Sequence, residues 1–343
     1  MRRWCGVLTV MSLGLGAVPD RARAQALSGQ VADSATARPV IGALLTLLDA
    51  SGRSVAQGVS GPSGRFTLSA PAPGRYRLRI ARIGFAPEIV GPFELDVGGT
   101  SFRRVVLPGR AIVLAGIEVE SGVSCGADSL RGAGRLVAVW EQVRTALQIQ
   151  RWSEQQGGSD LRGRVTLRTI DRGGKLIEQT ASTHLLGGRG FESLEPERLA
   201  ADGWVQAEPT GFRYYGPDAP VLLSEAFLRT HCLQLVNDER RPALIGVGFE
   251  PVPGRTIPDI GGVIWLDAVT AELRRVDFTY RNPPATQDTD GPRAGGDAEF
   301  TRLPDGRWVI SRWRIRTPWF RGYREKQGEL VDLPRMMLQN PGQ

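Results

Sequence analysis

Residues 75–80 alternate strictly: Tyr76, Leu78 and Ile80 fall on one side, Arg75, Arg77 and Arg79 on the other. A period of two belongs to a strand with one face in a core and one in water. Pro73-Gly74 supplies the turn that leads into it. The same grammar recurs on both sides. Leu27 to Val31 starts a strand, and Pro39 to Leu44 leads into Leu45 and Leu47. Gly61-Pro62-Ser63-Gly64 carries the proline and glycine of a type I turn, with Phe66 and Leu68 following on one face. Phe93, Leu95 and Val97 alternate with Glu94 and Asp96, and Val105 and Leu107 close the segment. About seven short strands at this spacing predict a β-sandwich, here over residues 27–108.

Composition bounds the rest. The 343 residues are 41 % hydrophobic and include 43 glycines and 23 prolines, as in a turn-rich β protein with room for a second domain. The net charge of +7 falls to +4 when four arginines and one aspartate leave with the N-terminal leader described below. This surplus is spread along the chain. A nucleic-acid footprint would be clustered, so no nucleic-acid partner is expected.

The motifs of the first segment resemble the carboxypeptidase regulatory-like family, whose modules look like transthyretin. They are Gly29-Gln30-Val31, Pro39 to Ala43, Gly64-Arg65-Phe66, Pro73 to Tyr76, and Gly84-Phe85. Such modules stand beside peptidases and ahead of TonB-dependent receptors of the outer membrane. The resemblance implies a binding or spacing element, not catalysis. A zinc carboxypeptidase needs His-x-x-Glu and a later histidine. Here His184 precedes Leu185-Leu186-Gly187 and His231 precedes Cys232-Leu233-Gln234, so neither metal nor cofactor is expected. The aromatics Phe66, Tyr76, Phe85 and Phe93 are expected mostly inward, as core and not as a sugar platform.

Residues 1–24 read as a signal peptide: Arg2-Arg3, an apolar run from Val7 to Val18, and small residues at Ala22-Arg23-Ala24. The run is shorter than the roughly 20 residues that span a bilayer. An exported protein is expected, periplasmic or outer-membrane-associated and not integral. Cys5 leaves with the leader, and in an oxidising compartment Cys125 and Cys232 are expected to pair. Closing a loop of about a hundred residues is worth about 4–5 kcal/mol in the chain-entropy model.

Residues 109–128 form a glycine-rich linker with an apolar stretch, Ile112 to Val119. A similar stretch leads into the plug of TonB-dependent receptors, but no series of membrane strands follows here, and a barrel of this chain alone is not expected. Residues 129–343 read as an α+β domain. Leu136, Val139, Trp140, Val143 and Leu147 recur at helical spacing, predicting a helix over 131–152 capped at Asp128 or Ser129 and packed by one face. Segments 164–170 and 176–183, 262–267 and 273–281, and 298–303 and 308–317 pair across turn residues. One long helix against a curved antiparallel sheet is the arrangement they predict. The stretch Gly262 to Arg274 resembles the strand-turn-strand of lipoprotein-carrier-like proteins, in which such a sheet wraps a helix and holds an acyl chain.

Several constellations suggest chemistry. Gly122-Val123-Ser124-Cys125-Gly126 has the spacing of a hydrolase elbow but lacks the parallel α/β setting, and is read as a chance match. His231 and Cys232 are adjacent, which on a strand sends them to opposite faces. Asp288-Thr289-Asp290-Gly291 lacks the other ligands of a calcium loop and reads as a solvated turn. Arg312, Arg314 and Arg316 make an outward basic stripe suited to anionic lipid at the outer-membrane surface, or simply a polar face. Trp265, Phe278, Tyr280, Trp313 and Ile315 line an apolar cavity if the sheet curves, or else fill the core.

Together these features predict a non-enzymatic exported envelope protein that binds or docks a protein partner or an apolar ligand. The alternatives are a periplasmic lipid or lipoprotein carrier and a carbohydrate-binding protein.

Overall fold

The computed structural model describes residues 25–108, 114, 123–126, 134–155, 162–171, 173–185, 193–209, 211–284, 294–319 and 322–332. The leader, most of the linker, the Asp128 and Ser129 cap and the Asp288 to Gly291 turn lie outside the described residues.

Seven strands occupy the first module: β1 (Gln25–Asp33), β2 (Leu44–Leu48), β3 (Ser54–Val59), β4 (Arg65–Ala70), β5 (Gly74–Ala81), β6 (Glu88–Leu95) and β7 (Thr100–Leu107). They form two sheets, in orders β4-β1-β7 and β3-β2-β5-β6. The pairing of β1 with β7 is parallel, the others antiparallel. Alternation decides what faces inward: Leu27, Val31, Leu45, Leu47, Phe66, Leu68, Tyr76, Leu78 and Ile80 meet in one core. The turn before β4 closes with a Gly64 N–H to Gly61 carbonyl bond of 2.8 Å. Gly64 has φ +71°, and a side chain there would also press on the Val31 carbonyl, so glycine is required twice over. Phe85 and Phe93 are only half-buried, and Val97 lies beyond the end of β6 and is 73 % exposed, so the alternation stops at Leu95.

Strand β2 departs from a half-buried pattern. Its run of Leu44-Leu45-Thr46-Leu47 is buried throughout because both faces are covered. Leu45 and Leu47 enter the sandwich, while Leu44, with Ala81 of β5, joins the larger core of the second domain.

That core is built on α1 (Gly134–Gln155). Leu136, Val139, Trp140, Val143 and Leu147 are buried, on the helical spacing the sequence predicts. Burial does not stop at one face, however: Gln142, Thr145, Ala146, Ile149, Gln150 and Ser153 are buried too. The helix is held between the sandwich and the second sheet. Gln142 accepts from Gly84 N at 2.8 Å and donates to the Phe85 carbonyl at 3.2 Å, and Glu141 pairs with Arg79 at 3.0 Å.

The second sheet comprises β8 (Ser124–Cys125), β9 (Arg162–Asp171), β10 (Leu176–Leu185), β13 (His231–Val236), β14 (Leu244–Pro251), β15 (Asp259–Asp267), β16 (Leu273–Arg281), β17 (Gly295–Arg302), β18 (Trp308–Trp319) and β19 (Gly322–Asp332). A separate hairpin is made by β11 (Val205–Glu208) and β12 (Gly211–Tyr214). The ten strands run antiparallel in the order β10-β9-β19-β18-β17-β16-β15-β14-β13-β8. Residues from β13 to β18 converge with α1 in one apolar cluster, which obliges the sheet to curve around the helix. The chain is thus mainly β, a sandwich followed by an α+β domain, as its patterns predict.

Three short helices were not expected: α2 (Pro196–Asp202), α3 (Ala219–Leu222) and α4 (Glu225–Thr230). Each begins on a local signal. Pro196 opens α2, Asp218 accepts from Val221 N at the start of α3, and Ser224 accepts from Phe227 N at the start of α4.

Candidate functional site: an apolar groove on the inner face of the sheet

Beyond α1 the inner face of the sheet continues across β18, β19 and β9. Register fixes its rows. Ile315 lies beside Lys326, which lies beside Leu167; Thr317 lies beside Arg324, which lies beside Thr169. In the next row Trp313 lies beside Gly328. A side-chain carbon at Gly328 would come within 2.7 Å of the indole Cε2, so glycine lets the Trp313 ring lie flat across β19.

Opposite stands the β11–β12 hairpin, with Phe212, Tyr214 and the following Tyr215. Between hairpin and sheet lies an open groove of about 380 Å³, lined by Leu167, Phe212, Tyr214, Tyr215, Trp313 and Ile315, with Arg213, Arg324 and Lys326 among them. Phe212 is 43 % exposed and Leu167 39 %, large apolar side chains left in contact with solvent. Glu208 is the groove's carboxylate, and it is bound to Arg213 at 2.6 Å. Lys326 Nζ lies 5.9 Å from the Trp313 ring, within cation–π reach.

Below the hairpin the aromatics interlock. Tyr214 and Tyr280 meet edge to face at 5.0 Å, and Tyr280 donates to the Tyr215 carbonyl at 2.9 Å. Burial raises the pKa of both hydroxyls, and the Tyr214 oxygen has no hydrogen-bond partner among the described residues.

The five aromatic and aliphatic residues singled out from the sequence therefore separate. Phe278 and Tyr280 are core; Trp313 belongs to the same core cluster and Ile315 packs against it, and both also line the groove. Trp265 belongs to neither. Its neighbours Ile264 and Leu266 enter the core, so it lies on the outer face, where its indole N–H donates to Asp277 at 3.1 Å beneath the Arg241 guanidinium. Phe212 and Tyr214 are groove residues that sequence reasoning missed, on strands too short to show a period.

On the outer face the arginine stripe is not bare. The row Arg275, Glu299, Arg312, Glu329, Arg164 alternates in sign across five strands. Arg314 makes two bonds to Asp297, of 3.0 and 2.7 Å, Arg316 bonds Glu325 at 2.6 Å, and Arg312 lies 3.8 Å from Glu299. The stripe is built into an ion-pair lattice, the outward polar face that was one of its two sequence readings.

The remaining candidates occupy structural positions. Cys125 and Cys232 lie directly opposite on β8 and β13 and are bonded, with S–S 2.08 Å. Ser124 lies on the short antiparallel edge strand β8, not at a strand-to-helix elbow. His231 is buried, stacked on Phe227 at 4.0 Å, with Nε2 3.1 Å from Asp259 Oδ1, whose other oxygen takes Arg255. The side chain of His184 lies outside the described residues. No group of three or more metal-ligating side chains occurs among the described residues, nor is any helix there long and apolar enough to cross a membrane.

Fold and groove define a class: a β-sandwich module seated on an α+β domain whose curved sheet leaves part of its inner face open. Residues 26–108 match the carboxypeptidase regulatory-like domain, a non-catalytic module. No curated protein matches the chain. Among solved structures, 5-hydroxyisourate hydrolase of Klebsiella pneumoniae is similar at 20 % identity over 25 % of this chain and 92 % of that one, with a TM-score of 0.21. The minor pilin GBS52 of Streptococcus agalactiae is 16 % identical over 29 % of this chain and 49 % of its own length, with a TM-score of 0.22. A DUF1329 family protein of Desulfovibrio piger is 12 % identical over 58 % of this chain and 97 % of its own, with a TM-score of 0.22. At these values none carries a function across.

Proposed function

We propose that this is a non-enzymatic, exported envelope protein whose second domain binds an apolar ligand in the groove between the β11–β12 hairpin and the sheet. The observation that carries the reading is the groove itself. Its volume of about 380 Å³ lies within the roughly 300–1,000 Å³ of small-molecule sites, and half of its lining is aromatic or aliphatic, with charged side chains among the rest. The regulatory-like module then serves as a fixed shoulder for α1, held by Gln142 and Glu141 rather than swinging free.

Native mass spectrometry of the mature protein, purified from its own envelope, tests this. A reproducible adduct of amphiphile mass is the expected result; a bare mass counts against it. A second reading has its own support: among the described residues β10 ends the sheet and is exposed on both faces through 176–183, which suits the addition of a partner strand. Crosslinks from β10 to another envelope protein would favour that reading.

A further inference from the structure

We infer that the ligand of the groove is a single-chain amphiphile with an anionic head. The inference rests on the groove reading and goes beyond it to the head group. Its starting point is a contrast between the two faces of β18 and β19. On the outer face the arginines of β18 have carboxylates from β17 or β19 within ion-pair distance. On the inner face Lys326 stands between Ile315 and Leu167 with no carboxylate in ion-pair distance among the described residues. The groove's acid, Glu208, is already engaged by Arg213.

An uncharged apolar ligand laid over Ile315 and Leu167 would strip water from the Lys326 ammonium and return nothing, a costly burial. A ligand whose chain lies against Trp313, Ile315, Leu167 and Phe212 and whose anionic head meets Lys326 avoids that cost. It gains a charge-assisted bond in a partly apolar setting. The methylene stem of Lys326 adds to the apolar floor while its head remains at the mouth. The volume, at the lower end of the small-molecule range, suits one chain and not the two of a phospholipid.

Calorimetric titration of the full mature chain with laurate, dodecanol, dodecyl phosphate and dodecyltrimethylammonium tests the head group. Laurate is expected to bind about tenfold more tightly than dodecanol, the size of one charge-assisted bond. Lys326→Met is expected to remove that advantage by weakening laurate relative to dodecanol about tenfold, and Lys326→Gln, which adds no apolar contact, to do the same. Equal binding of laurate and dodecanol, or a laurate advantage that survives both substitutions, would overturn the head-group inference and leave the groove reading standing. Dodecyl phosphate binding more tightly than laurate would support the inference and name phosphate as the preferred anion. Failure of all four to bind would overturn the groove reading together with the inference.

Discussion

Replacing Gln142 by leucine should loosen the two modules from each other. Gln142 is 1 % exposed on α1, and its amide both accepts from Gly84 N at 2.8 Å and donates to the Phe85 carbonyl at 3.2 Å. Leucine is of similar size, so the helix stays packed while both bonds vanish. The Gly84 N–H, left buried without a partner, costs about 1–3 kcal/mol; the Phe85 carbonyl, in a half-buried residue, costs nearer 0.5–1.5 kcal/mol. The loss should total about 2–4 kcal/mol. Urea unfolding at unchanged slope measures it, with Arg151→Ala on the exposed side of the same helix as the control. A destabilisation under about 0.5 kcal/mol, the range of an ordinary surface substitution, would refute the view that Gln142 fastens the sandwich to the sheet domain.

Gly328→Val should press a side chain into the Trp313 ring, costing about 1–3 kcal/mol by overpacking and abolishing ligand binding; calorimetry and unfolding on the same sample test both. Replacing Cys125 and Cys232 by serine frees a loop spanning 107 residues and should lower stability by about 4 kcal/mol, measured by urea midpoint. In acid the chain should weaken. Asp49 is held at about 2 by the Ser51 hydroxyl and the Arg53 amide, and Asp33 is lowered by the Thr36 and Ala35 amides. A carboxylate whose pKa is depressed on folding contributes above its ordinary 3.8 and loses that contribution as pH falls toward about 2. The urea midpoint should therefore be flat above about pH 5 and fall below about pH 4. In Asp49→Asn the fall should be shallower, and an unchanged profile would count against the assignment.

How much of this was legible depended on period. In β5 three arginines on one face and three apolar residues on the other left a single reading, and the face that becomes core followed directly. Strand β15 offered no such parity. Val263, Ile264, Trp265 and Leu266 form an unbroken apolar run because both faces are covered, and the sequence gives no hint that Trp265 points away from Phe278. Strand β19 was hidden for the opposite reason: Arg324 and Lys326 face inward, Glu325 and Glu329 outward, so charge on both sides conceals the alternation. That strand carries two of the groove's three cations. The β11–β12 hairpin, four residues a side, was too short for any period, and its partner across the groove is about a hundred residues distant. Trp313 could be named from sequence, but not the surface it would share.

Photolabelling of the mature protein with a diazirine-bearing laurate, followed by peptide mapping, tests the central claim most directly. Label confined to the segments around Phe212 to Tyr215, Trp313 to Thr317, Arg324 to Gly328 and Leu167, competed away by unlabelled laurate, is the predicted result. Label on the β-sandwich or on the outer ion-pair face, or label that laurate does not displace, would contradict it.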